Sequence, residues 1–287
     1  MHSQNIHKNG YNLELICKNV PELNEYVIQA KSGKTSIDFS HPTAVYLLNK
    51  GLLITDYKIT GWTLPDGYLC PPIPGRMDYL LHLKDLLPIK KLHLLDIGTG
   101  ASLIYPILAA SHLGWKVTAS ELSEASYAFA KAQLKNIRLS NSNITAIELR
   151  QQKDPACIFE SIIKEGEYYD VSICNPPFFK SKEEAQKATT RKNKNLGITG
   201  QSSNFKGKPQ ELWCNGGEAL FLKRMIKESK NFKTQVGYFT ALVSQSDHLP
   251  KLIKQITKTG AKHRIIDMSQ GNKKSRIISW NFQTAAK

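Results

Sequence analysis

Asn175-Pro-Pro-Phe178 closes a short apolar run, Val171-Ser-Ile-Cys174, with an amide, two prolines and an aromatic ring, and Phe179 follows directly. That order suits the alkylation of a weakly nucleophilic amine. An exocyclic purine nitrogen has its lone pair delocalised into the ring, so a catalyst must hold both N–H groups and aim the nitrogen at the electrophile. The Asn175 side-chain oxygen and the Pro176 carbonyl supply two acceptors. Pro176 and Pro177 fix φ near about −65° and donate no competing N–H. Phe178 or Phe179 offers a stacking face for a base that is unpaired or flipped out of folded RNA. In isolation, an Asn-Pro turn over two core phenylalanines accounts for the same residues.

A second constellation gives the first a context. His93-Leu-Leu-Asp-Ile-Gly-Thr-Gly-Ala-Ser102 places Gly98, Thr99 and Gly100 at a strand-to-helix turn, where a bare backbone lets a ligand approach the helix N-terminus. Leu103 stands where a dinucleotide fingerprint wants its third glycine, which argues against NAD. Asp96 at the strand tip suits a ligand with a cationic amino-acid end, as in S-adenosyl-L-methionine. Glu121 follows the turn at about the 20-residue spacing of a carboxylate that accepts from ribose hydroxyls. Asp154 falls where such folds reach the cofactor's adenine, or else caps a helix starting at Pro155. Taken singly, Asp96 reads equally as a helix cap and Glu121 as a solvated acid; their joint register favours ligand binding.

Positioning these residues requires parallel strands. From Lys91 onward apolar runs alternate with amphipathic ones: strands over Leu92–Ile97, Lys116–Ser120, Ile144–Leu149, Tyr169–Cys174 and Val236–Val243, and helices over Ser102–His112, Ser123–Arg138, Pro155–Lys164, Glu218–Ser229 and Leu249–Thr259. Two further strands, His263–Met268 and Arg276–Asn281, are joined by a link containing Gly271-Asn-Lys-Lys-Ser275, too short for a crossover helix, so they form an antiparallel hairpin. The expected fold is α/β, a seven-stranded, mostly parallel sheet. Asn175 then leaves the fourth strand beside the first, where ligands bind in open α/β sheets. Residues 1–90 lack the alternation and read as an N-terminal extension, with short helices at Pro42–Asn49 and Asp78–Leu87 flanking a proline- and glycine-rich stretch from Trp62 to Arg76. Residues 91–287 form the second unit, carrying a basic insertion at 180–215.

The chain has 287 residues with 39 Lys plus Arg against 24 Asp plus Glu, a formal charge of +15. That balance favours an extended polyanion such as nucleic acid, although a basic surface also serves solubility. Lys182, Lys187, Arg191, Lys192 and Lys194 emerge from the Asn-Pro-Pro-Phe segment and are candidates to neutralise RNA phosphates; Lys31 and Lys34 offer a second wall. No stretch approaches the roughly 18 apolar residues of a spanning helix, and the start resembles no signal peptide, so a cytoplasmic protein is expected, with no membrane partner and no implied oligomer. Five cysteines without a C-x-x-C pair and eight dispersed histidines suggest neither disulfides nor a metal.

Asp96-Ile-Gly-Thr-Gly-Ala-Ser-Leu-Ile-Tyr-Pro106 together with Cys174-Asn-Pro-Pro-Phe178 resembles the ribosomal RNA large subunit methyltransferase F family, adenine-N6 methyltransferases of 23S ribosomal RNA related to the methyltransferase-like 16 enzymes. Ser36–Phe39, Gly67–Tyr79, Glu211–Glu218 and Met268–Gly271 are similar to that family too, so the likeness covers nearly the whole chain. Asn-Pro-Pro-Phe alone is shared with DNA adenine, guanine-N2 and protein-glutamine methyltransferases; Tyr68-Leu-Cys-Pro-Pro-Ile-Pro-Gly-Arg76 is far more specific. The resemblance implies a Rossmann-like class I S-adenosylmethionine-dependent fold and methyl transfer to the N6 of an adenine in large-subunit RNA. It also implies that Arg76 faces the methionine carboxylate, and that the glycine turn, Glu121 and Asn175 contact cofactor or base. From the residues alone, Arg76 pairs equally well with Asp78 or Asp85. Two other readings stay open: an RNA-binding protein or folding factor with a vestigial pocket, and a methyltransferase acting on guanine N2 or protein glutamine.

Overall fold

The structure is a computed structural model, which describes residues 1–30, 33–139, 144–179, 181, 183–184, 214–270 and 273–282. Its sheet has seven strands in the order β10-β11-β9-β8-β4-β5-β7. β4 (His93–Ile97) lies at the centre between β5 (Lys116–Glu121) and β8 (Tyr169–Cys174); β7 (Ile147–Gln151) and β9 (Val236–Val243) extend the parallel part, and β10 (Lys262–Gln270) with β11 (Lys273–Asn281) is the expected antiparallel hairpin. The central strands are near-continuous apolar runs because helices cover both faces. The chain order reverses at β4, with β5 on one side and β8 on the other, which opens a crevice at their carboxyl ends.

The strands at Tyr169–Cys174 and Val236–Val243 have the bounds read from the sequence. Several neighbours differ for local reasons. The helix after β4, α4 (Ile104–Leu113), begins two residues after Ser102, because Leu103 adopts a left-handed φ of 52° at its N-cap. β7 starts at Ile147, after a 3-10 turn at Ile144–Ala146. The helix expected over Pro155–Lys164 does not form. Instead, Ser161 adopts a left-handed φ of 66° and the N–H groups of Ile162 and Ile163 both turn back to Phe159 O, while the Glu228 carboxylate accepts the N–H groups of Ile158, Phe159 and Glu160 at 2.7–3.0 Å. Helix α5 (Glu124–Asn136) is capped by the Ser123 hydroxyl, and Arg138 leaves it for a two-residue strand, β6 (Arg138–Leu139), that pairs with β3 (Ile59–Thr60).

Residues 1–90 hold more structure than their sequence suggests. Helix α1 spans Leu13–Asn19, and a small hairpin joins β1 (Val27–Gln29) to β2 (Thr35–Ile37). Helix α2 runs from Pro42 to Tyr57, well past Asn49. Gly51 is not a break: any Cβ there would collide with Ile16 Cγ2, so its bareness lets α1 pack on α2. Helix α3 (Ile73–Leu86) starts immediately after the proline-rich stretch, with Pro74 in its first turn, where a missing N–H is tolerated, and with the Asn49 side chain accepting the Ile73 N–H at 2.9 Å. One buried cluster runs from Ile16, Leu52 and Leu80 to Leu94, Leu108 and Val117. The Trp62 indole N–H donates to Ser102 O at 2.9 Å, and Gln133 bridges the Thr63 N–H and Ala101 O, tying the N-terminal segment to the turn after β4. Among the described residues, no helix is long and apolar enough to cross a membrane.

Candidate active site

A cleft of about 860 Å³ opens at the carboxyl ends of β4, β5 and β8. The turn after β4 is held to β5: Gly98 and Thr99 donate N–H groups to Ser120 O at 3.0 and 2.9 Å. Gly98 has φ 73°, and a Cβ there would meet nothing within 4 Å, so the glycine is needed for its backbone conformation while the space before it stays open. Glu121 closes the same turn. Its carboxylate accepts the Gly100 N–H at 2.8 Å and the Ser123 N–H at 2.7 Å. Burial raises its pKa and these N–H groups oppose the rise. The carboxylate, with about four lone-pair sites, keeps room for a further donor.

Four side chains around this turn carry buried polar atoms with no hydrogen-bond partner among the described residues: both carboxylate oxygens of Asp96, the Thr99 hydroxyl, Arg76 Nε and Asn175 Oδ1. Native proteins rarely leave such groups unpaired, and a cluster of them marks where a polar ligand fits. Asp96 is only 1% exposed and does not itself line the cleft, whereas Ile97, Gly98, Thr99 and Gly100, which follow it, do. Burial pushes its pKa up to about 7, against the lowering effect of the nearby Thr99 hydroxyl, which lies outside hydrogen-bonding geometry; Glu121 adds to the rise and Arg76 opposes it.

Arg76 reaches the cleft from the first turn of α3, and its Nη1 donates to the Tyr105 hydroxyl at 2.8 Å. It makes no ion pair with Asp78 or Asp85. Asp78 accepts from the His2 backbone and Asn5, and Asp85 pairs with the His2 ring at 2.8 Å.

Asn175 follows β8 directly, and because Cys174 is the register partner of Ile97, the Asn175 and Gly98 tips are neighbours. Pro177 and Phe178 line the cleft; Pro176 is buried and does not line it, and Phe179 also lies outside the lining, its carbonyl accepting the Cys214 N–H at 3.1 Å. Asp154 is not brought to the cleft. It is exposed, and its carboxylate accepts the Ala156 N–H at 2.7 Å, capping a turn where a helix was expected. Gln152 and the Pro155–Ile158 segment form that wall instead. Lys182, Lys187, Arg191, Lys192 and Lys194, like Lys31, lie outside the described residues.

The sequence reading missed Gln152, Tyr105 and Phe221, all of which line the cleft. Tyr105 stood within a quoted motif without a role. Gln152 follows a strand whose end was placed two residues early. Phe221 belongs to helix α6 (Gly217–Ser229), which no local signal connects to the cleft. Among the described residues, no group of three or more His, Cys, Asp or Glu side chains is placed to hold a metal ion.

Comparison with known proteins gives a consistent result. Residues 1–284 match the model of a family described as RNA methyltransferase. A ribosomal RNA large subunit methyltransferase F from Christiangramia forsetii is 52% identical over 287 residues, covering 98% of this chain and 100% of that protein. The protein of the same name from Salmonella typhimurium is 44% identical over 292 residues, covering 98% and 93%. Among solved structures, the human METTL16 catalytic domain in complex with MAT2A 3′UTR hairpin 1 superposes with a TM-score of 0.84 at 27% identity, covering 99% of this chain and 96% of that one. The N-terminal domain of human METTL16 in complex with SAH gives 0.78 at 25% identity, covering 99% of each.

Proposed function

The chain belongs to this family of RNA methyltransferases, and from that premise we propose that it transfers a methyl group from S-adenosyl-L-methionine to the exocyclic N6 of an adenine in large-subunit ribosomal RNA. The observation that carries the chemistry is the buried Asn175 Oδ1, without a hydrogen-bond partner among the described residues, on the strand tip beside the glycine turn. An amide oxygen left without a donor is suited to an N–H group brought by a substrate. The two relatives' shared name supports the choice of RNA.

The residues present fit the cofactor. When bound, S-adenosylmethionine supplies an electrophilic methyl group. Asp96 and Arg76 are the opposite charges that an amino-acid end requires, Glu121 has lone pairs left for ribose hydroxyls, and the open space before Gly98 admits the ligand to the backbone. Asn175 Oδ1 accepts an N–H group of the target amine, while the Phe178 ring offers a face to its base. No side chain need act as a strong base, since the proton is acidified by methylation and leaves to solvent. The basic residues Lys182, Lys187, Arg191, Lys192 and Lys194, with Phe179, are assigned to the surrounding RNA, where they position rather than specify. A cytoplasmic location follows from the ribosomal RNA substrate that the relatives' shared name supports.

The test is methylation of large-subunit RNA from cells lacking the protein, using labelled cofactor and mass spectrometry of the digested nucleosides. The expected product is N6-methyladenosine at one site. Label in N2-methylguanosine, or none in RNA, would overturn the assignment.

A further inference from the structure

We infer that Tyr105 is a positioning residue that fixes the orientation of Arg76 and so sets the preference for a cofactor bearing a carboxylate; this rests on the S-adenosylmethionine reading above. Arg76 is a long side chain whose guanidinium has five N–H donors, and it acts as a directed fork only if something holds it. Tyr105 does so. Its hydroxyl accepts from Nη1 at 2.8 Å, and the ring centroid lies 5.3 Å from Cζ. With Nη1 engaged there, the parallel pair of donors left to the guanidinium is its Nε–Nη2 edge, and Nε is buried and unpartnered among the described residues. An edge of two parallel N–H groups matches a carboxylate side-on.

Tyr105 is itself immobilised from behind. It is 4% exposed, and Tyr79 packs against it edge-on, with ring centroids 5.8 Å apart and planes at 89°. The Tyr79 hydroxyl lies 2.8 Å from Thr240 Oγ1, which donates to Ser172 O at 2.7 Å in β8. The fork is thus referenced to the strand that carries Asn175, and a ligand carboxylate placed by it is placed relative to the transfer site. Burial raises the Tyr105 pKa and Arg76 opposes that rise, so the phenol stays a neutral acceptor at ordinary pH.

The experiment is calorimetric titration of wild type and Tyr105→Phe with two probes, S-adenosylmethionine and its decarboxylated analogue. The phenylalanine keeps the ring packing and removes only the hydroxyl. Wild type is expected to bind the carboxylate-bearing probe more tightly, and Tyr105→Phe to lose about tenfold for that probe and little for the analogue, as expected of one charge-assisted hydrogen bond. An unchanged preference between the probes, whether both affinities hold or both fall together, would overturn the inference, the second result meaning that the hydroxyl only supports the cleft's packing. Failure of wild type to bind either probe would instead remove the cofactor reading and the inference with it. Arg76→Lys provides a second check: it keeps the charge but loses the fork, and should lower the preference for the carboxylate as Tyr105→Phe does.

Discussion

Ile97 and Cys174, the last residues of β4 and β8, are register partners in the parallel sheet, so the Gly98–Gly100 turn and Asn175 leave adjacent strand tips. The account of the site depends on this adjacency, since it brings a donor-binding turn and an amide acceptor to one crevice without any contribution from loops of variable length.

Asn175→Ala should separate binding from chemistry. Cofactor affinity is expected to change little, while the single-turnover methylation rate falls by about two to three decades through loss of one positioned acceptor. Rapid-quench kinetics with saturating cofactor would show it; an unaltered rate would remove Asn175 from its role.

Asp96 should make cofactor affinity pH-dependent. Its pKa of about 7 means that the ligand-free protein holds the carboxyl increasingly neutral below that pH, whereas a cationic amino-acid end favours the charged form. The dissociation constant should therefore fall by up to about tenfold per unit as pH rises toward 7 and level off above it. Titrations from pH 5.5 to 8.5, each in buffers of differing ionisation heat, would also reveal the proton released.

The same group should cost the ligand-free protein stability. A carboxyl whose folded pKa is raised from 3.8 to about 7 has no effect on folding while both states are protonated. As pH climbs through that window, the unfolded chain releases its proton and the folded one does not, so stability falls by an amount on the order of a few kcal/mol. Asp96→Asn should thus raise Tm at pH 8 by several degrees and have much less effect at pH 4, while abolishing tight cofactor binding. Scanning calorimetry at both pH values would decide; an equal Tm shift at both would refute the linkage.

Glu228 should support the cleft wall formed by Pro155–Ile158. Its carboxylate satisfies three backbone N–H groups, and Arg224 on the same helix donates to Pro155 O at 2.7 Å. Glu228→Ala is expected to lower stability by about 2–4 kcal/mol and to raise KM for the cofactor with a smaller effect on kcat; Glu228→Gln should be milder. Denaturant unfolding and steady-state kinetics would test both.

Lys192 and Lys194 should contribute to RNA affinity through phosphates. Replacing both with neutral residues is expected to weaken binding and reduce the slope of log K against log salt by about 1.4–1.8, the contribution of two phosphate contacts. A salt series by filter binding would measure this, and an unchanged slope would separate these lysines from the RNA.

The strand tips were legible in the sequence because parallel strands buried on both faces read as apolar runs that end abruptly, and Gly98, Glu121 and Asn175 stand at or just beyond those ends. Asp154 follows its strand as such a residue should, but the backbone turns there, its carboxylate accepts the Ala156 N–H, and the carboxylate that holds the next segment, Glu228, lies about 70 residues away in the chain. The helix at Pro42–Asn49 reads short because nothing local shows that Gly51 continues it as the point where α1 packs, through Ile16. The N-terminal residues gave little away because their apolar side chains pack against the sheet's own helices and show no period of their own. Such features arise from contacts between distant segments, and local pattern does not encode them.

A crystal structure of the protein with S-adenosylhomocysteine bound would test the central relationship most directly. The ligand is expected in the cleft beyond β4, its amino-acid end between Asp96 and Arg76 and its sulfur facing the Asn175 side-chain oxygen. Density for the ligand elsewhere, or an Asn175 amide oxygen turned away from it into a hydrogen bond with the protein interior, would contradict the account.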